Sequence, residues 1–147
     1  MMIANELEYR TTKAALRRFE EGLAHVQDGQ AERHPLAQKA LRESIESEIQ
    51  VLEQQLRDYE ALRDGAVTQV TVDSLDRLPD VLIAARIAAG WSQKDLAERL
   101  ELKHQQIQRY EASRYETASF DRLLDVADAL GIKMHAQVTF TNSAVTA

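Results

Sequence analysis

A chain of 147 residues suits one domain, or one small domain with an appendage, and its 44% hydrophobic content is too high for a disordered polypeptide. With no cysteine, disulfides and thiolate metal sites are excluded, and no apolar run reaches the ~20 residues that span a bilayer. The net charge of −6 divides unevenly, with residues 1–78 at −5 and residues 79–147 at −1, so attraction to an anionic partner must come from a local face.

The first residues, MMIANELEYR, lack the apolar core of a secretory signal, which makes a cytoplasmic location the expectation. Leu16, Phe19, Leu23 and Val26 then recur at three- and four-residue spacing and line one face of a helix. Asp28, Gly29, His34 and Pro35 interrupt it. A longer helix follows, with Ile45, Ile49, Leu52, Leu56 and Tyr59 at the same spacing and Glu46, Glu48, Glu53 and Gln54 on its other faces. Two amphipathic helices joined by a short loop predict an antiparallel hairpin over residues 1–64, whose apolar stripes cover each other or meet a second chain. Asp64 and Gly65 close this region.

AVTQVTV, from residue 66, is rich in β-branched residues and predicts a short strand. HAQVTF, from residue 135, sets Ala136, Val138 and Phe140 against Gln137 and Thr139 and predicts another. The two segments pair with each other or across a dimer, and residues 141–147 form a frayed tail. Between them, residues 79–131 predict four short helices. Pro79 opens VLIAARIAA, which Gly90 stops; Ser92 caps QKDLAERL; HQQIQRYEA follows a brief turn; and Ser119 caps FDRLLDVADAL, ending at Gly131. Residues 65–140 are therefore read as a second unit.

Within that unit, Ala97 is small where two helices must cross closely. Leu96, Leu100, Ile107 and Tyr110 fall where these helices share a core. Ser92 and Gln93 open the first helix, and Gln105 and Gln106 lie near the start of the second. The run from Arg86 to Glu111 that carries these residues resembles the helix-turn-helix of the lambda-repressor and Cro family, also called the XRE family. The resemblance covers roughly residues 79–132. It implies a mainly α fold, a lambda-repressor-like domain of four to five helices, here preceded by the hairpin and flanked by short strands.

The resemblance also implies roles. The helix from His104 would enter the major groove of double-stranded DNA, with His104, Gln105 and Arg109 at the base-reading positions and Gln108 beside them. A Gln amide can grip adenine at two atoms, and an Arg guanidinium can grip guanine likewise. Gln93 occupies the family's phosphate-contacting position, with Ser92, Lys103 and Arg114 as further contacts. Arg86 and Glu111 match a pair that the family buries as a structural ion pair. Two positions depart from the family: Glu101 and Ser113 stand where Gly is usual, which implies strain wherever a positive φ is required.

Other chemistry finds little footing. His25, His34, His104 and His135 show no metal-ligand spacing, and neither a phosphate-binding Gly loop nor a nucleophile elbow occurs, so no enzyme activity, metal or cofactor is expected. The expected function is a sequence-specific transcriptional regulator, a homodimeric repressor on an inverted-repeat operator, with no membrane association. The layout is also similar to HigA-type antitoxins, which implies an alternative: autorepression combined with a toxin bound to the acidic N-terminal region.

Overall fold

The computed structural model describes residues 2–28 and 34–141. Gly29 of the expected interruption, and all of the expected tail except Thr141, lie outside the described residues. Six α-helices and one 3-10 turn occur among the described residues.

Helix α1 (Glu6–Asp28) starts where the Asn5 side chain accepts a hydrogen bond from the Glu8 amide at 2.9 Å, while the Glu8 carboxylate accepts from the Ala4 amide at 2.7 Å. This reciprocal arrangement satisfies two amides that the first turn leaves without helical partners. Helix α2 (Pro35–Arg63) opens on Pro35, and the His34 Nδ1 accepts from the Leu36 amide. The two helices pack together as the expected hairpin. It is pinned at both ends. The Tyr9 and Tyr59 rings stack with centroids 5.0 Å apart and the Tyr9 hydroxyl donates to Glu60 at 2.6 Å, whereas at the far end Gln38 donates to the Val26 carbonyl at 2.9 Å.

Burial along the hairpin is uneven. Tyr9, Leu56, Tyr59 and Leu62 are buried, but Leu16, Leu23, Val26, Ile45, Ile49 and Leu52 are only half-buried and Phe19 is 37% exposed. Two helices alone cover only one side of each other's stripe, so full burial occurs only where the hairpin meets the rest of the chain.

After the 3-10 turn Leu75–Arg77 come α3 (Leu78–Ala88), α4 (Gln93–Arg99), α5 (His104–Ala112) and α6 (Phe120–Ala129). Gly90 ends α3 with φ +73°, a conformation that a Cβ disfavours, so the chain can turn sharply into α4. Ser92 then caps α4 in a full capping box: its hydroxyl accepts from the Asp95 amide and the Asp95 carboxylate accepts from the Ser92 amide. The Ser92 amide and the Ser92 hydroxyl, donating to the Asp95 carboxylate at 2.8 and 2.9 Å, hold the Asp95 carboxyl below the usual carboxylate range. Ser119 caps α6 through the Arg122 amide.

Each of α3 to α6 contributes one fully buried aliphatic side chain to the centre: Leu82, Leu96, Ile107 and Val126. Removing each from water is worth about 1.5–3 kcal/mol. Ala97, 1% exposed, permits the close approach of α4 and α5. Ile3, Tyr9, Leu56, Tyr59 and Leu62 belong to the same cluster, so buried side chains from both sides of Gly65 form one core.

The two expected strands are not present among the described residues. Residues 66–72 and 132–141 run without helix, turn or bridge. A strand exists through its hydrogen-bonded ladder, and among the described residues neither segment has a neighbouring strand to pair with, although Val67 and Ile132 pack against the core.

Candidate nucleic-acid interface

The geometry of the site begins with a buried ion pair. Arg86 on α3 meets Glu111 on α5 through two parallel hydrogen bonds, Nε to Oε1 at 2.6 Å and Nη2 to Oε2 at 2.8 Å. The side chains are 3% and 1% exposed. Two more guanidinium hydrogens go to the Trp91 carbonyl at 2.8 Å and to the Ala4 carbonyl. One cation thus joins α3, the α3–α4 turn, α5 and the N-terminal arm. Gln93, at the start of α4, donates from its Nε2 to the same Glu111 Oε2 at 2.7 Å.

Between α4 and α5 the chain turns through Glu101, which holds φ +56° without being glycine. Leu102 donates back to the Ala97 carbonyl at 2.8 Å and fixes the crossing of the two helices. Helix α5 then buries Ile107 and Glu111 and half-buries Gln106 and Tyr110. His104, Gln105, Gln108, Arg109 and Ala112 are exposed, which is one continuous stripe at helical spacing. Gln106 points aside, donating to the Tyr110 hydroxyl at 3.0 Å.

Lys103, Gln105, Gln106 and Arg109 line one shallow depression of about 590 Å³ together with Tyr110 and Thr117. Thr117 carries no sequence signal for this position. It arrives there because Arg114 and Tyr115 take φ of +53° and +59° in succession and fold the loop back toward α5. The departure at Ser113 therefore carries no strain of its own, since its φ is −89°; the left-handed residues are the two that follow.

Tyr115 stacks on Tyr110 with ring centroids 5.7 Å apart and is 3% exposed. Its hydroxyl has no hydrogen-bond partner. Burial, followed by the nearby Glu111 charge, raises its pKa well above the ordinary tyrosine value.

The remaining sequence-derived candidates are placed differently. Ser92 is exposed, with its hydroxyl engaged in the α4 cap. Arg114 turns to α3, where it meets Asp80 at 2.8 Å, rather than to the exposed stripe. Arg99 lies over the Trp91 ring, 3.8 Å from its centroid, a cation–π contact that helps hold the turn before α4. Among the described residues no group of three potential metal ligands occurs, and no helix is long and apolar enough to cross a membrane.

Two short helices crossing at a small residue, the second with one face buried and the other exposed and polar, define a helix-turn-helix. Residues 82–136 match the family model described as helix-turn-helix, which supports an XRE-type DNA-binding domain over this part of the chain and a role as a DNA-binding regulator. No curated protein and no solved structure matches the chain.

Proposed function

We propose that the protein is a transcriptional repressor that binds an inverted-repeat operator as a homodimer, with α5 lying in the major groove. The exposed stripe of α5 supports this reading most directly. It presents two amides, an imidazole and a guanidinium while its carboxylate, Glu111, is buried against Arg86. Gln105 and Arg109 are assigned to base edges, with His104 and Gln108 at the margins. Lys103 and Thr117 flank them toward the phosphates. Gln93 has a second amide hydrogen left for a phosphate oxygen, and its bond to Glu111 sets the direction of that hydrogen. Ser92 is assigned to the same strand, and Arg114 reaches it only by leaving Asp80.

One α5 helix covers too few base pairs for useful specificity, so two copies are required. Footprinting on selected operators should show two half-sites whose centres lie ~34 Å apart, or a multiple of it. A single unpaired half-site would refute the dimeric reading. The antitoxin reading is second, and the half-buried seam of the hairpin beyond Tyr9 and Leu56 is the observation that favours it. It requires a partner protein to copurify through residues 1–64.

A further inference from the structure

Residues 133–141 alternate without exception. Met134, Ala136, Val138 and Phe140 are apolar, and Lys133, His135, Gln137, Thr139 and Thr141 are polar. Such a pattern belongs to a strand with one face covered. Yet all nine residues are exposed, and Val138 and Phe140 are 72% and 90% exposed. Among the described residues, no main-chain hydrogen bond links 133–141 or 68–72 to another part of the chain.

Beside residues 70–72 lies an open apolar groove of about 390 Å³ between the N-terminal arm, α2 and α3, lined by Ile3, Tyr59, Leu62, Val70, Val81 and Ala84. Its polar lining includes Asp58, Arg77 and Asp80, of which Asp80 is paired with Arg77 and Arg114 and Asp58 has no cationic partner among the described residues. The segment 132–141 carries Lys133 and His135 and no acid. One element offers an unpaired main chain and alternating apolar side chains. The other offers an unpaired main chain, an apolar floor and carboxylates at its edge.

We propose that residues 134–140 of a second copy add as a strand beside residues 68–72, placing Val138 and Phe140 in this groove, and that reciprocal exchange forms the dimer. Strand addition to an exposed edge draws affinity from main-chain hydrogen bonds and specificity from pockets for alternate side chains. The unpaired stretch 68–72 spans about 17 Å at strand rise, so the seven-residue segment 134–140 is long enough to cover it. The proposal rests on the DNA-binding reading only for why a dimer is needed; its observations lie away from α5.

The test uses the full chain without DNA. Sedimentation velocity should show a dimer at micromolar concentration. Val138→Asp with Phe140→Asp should weaken self-association at least tenfold while leaving the helical circular dichroism spectrum intact, because both side chains are solvent-exposed in the single chain. The native chain has no cysteine. A Val70→Cys population mixed with a differently tagged Val138→Cys population should therefore yield a hetero-cross-link with a short bismaleimide.

Three results would overturn the proposal: a monomeric wild type at tens of micromolar, a dimer indifferent to the two Asp substitutions, or no hetero-cross-link between the Val70→Cys and Val138→Cys populations. A cross-linked dimer that fails to bind DNA would instead sink the operator reading and leave strand exchange standing.

Discussion

Replacing Glu111 by Ala removes two of the four hydrogen bonds that Arg86 makes and leaves a guanidinium, 3% exposed, on the carbonyls of Trp91 and Ala4 alone. Breaking a buried ion pair from one side costs about 3–5 kcal/mol, mostly the desolvated charge left behind. At about 2–4 °C per kcal/mol for a chain of this size, the melting temperature should fall by roughly 10 °C. The measurement is thermal unfolding by circular dichroism at fixed protein concentration, since self-association would shift the midpoint. Glu111→Gln keeps the shape and one acceptor and should cost less. Arg86→Met with Glu111→Leu removes both charges together and should recover most of the loss, because an apolar pair of similar volume is often as stable. A Glu111→Ala midpoint within about 2 °C of wild type would refute the argument.

Three further outcomes are expected. Tyr115→Phe should stabilise the fold by about 1 kcal/mol in urea titration, since it deletes a buried hydroxyl without a partner. Tyr115 keeps its proton in the folded state, whereas the unfolded chain releases it near the ordinary tyrosine pKa. Stability should therefore fall as pH rises through and above about 10, and Tyr115→Phe should flatten that slope; an unchanged slope would reassign the alkaline loss. Arg109→Ala should cost about 1–3 kcal/mol on a selected operator and relax preference at one base pair, while Lys103→Ala weakens all sequences alike; uniform loss for both would move Arg109 to the backbone. Glu101→Gly should gain about 1 kcal/mol in the same urea titration by relieving the left-handed backbone at φ +56°, and destabilisation would show that Glu101 has a compensating role.

Local signals in the sequence located the parts of the fold that depend on near neighbours. Ser92 and Ser119 are caps, Ala97 is the small residue at the helix crossing, and Glu101 does adopt the positive φ that a missing glycine implies. The Arg86–Glu111 pair was legible through the family resemblance and is buried as that resemblance implies. What depends on distant chain was not legible. Arg114 is one cation among several in sequence, and only the fold brings Asp80 to it from 34 residues away. Thr117 joins the α5 depression through two consecutive left-handed residues that no spacing rule anticipates. The alternation at residues 66–72 and 135–140 reports a covered face and so predicts strands, but it does not say what covers that face.

The N-terminal arm connects these gaps. Three residues have no periodicity to detect, yet Ile3 is 4% exposed and the Ala4 carbonyl accepts from Arg86. Through Arg86 the arm is two hydrogen bonds from Glu111, and through Glu111 it is three from Gln93. Ile3 and Asp80 also line the groove assigned to the exchanged strand, and Asp80 holds Arg114 in the loop after α5. The proposed dimer groove and α5 are therefore joined by two chains of direct contacts. A strand seated against Ile3 would restrain the arm that supports Arg86, so dimer formation and the orientation of α5 would be coupled. Disturbing the arm alone separates this coupling from simple loss of a subunit. Ile3→Ala should lower operator affinity even at protein concentrations where sedimentation shows the dimer fully formed, and it should do so with Gln105 and Arg109 untouched. Operator affinity equal to wild type in a fully dimeric Ile3→Ala protein would mean that the arm contributes stability without directing α5.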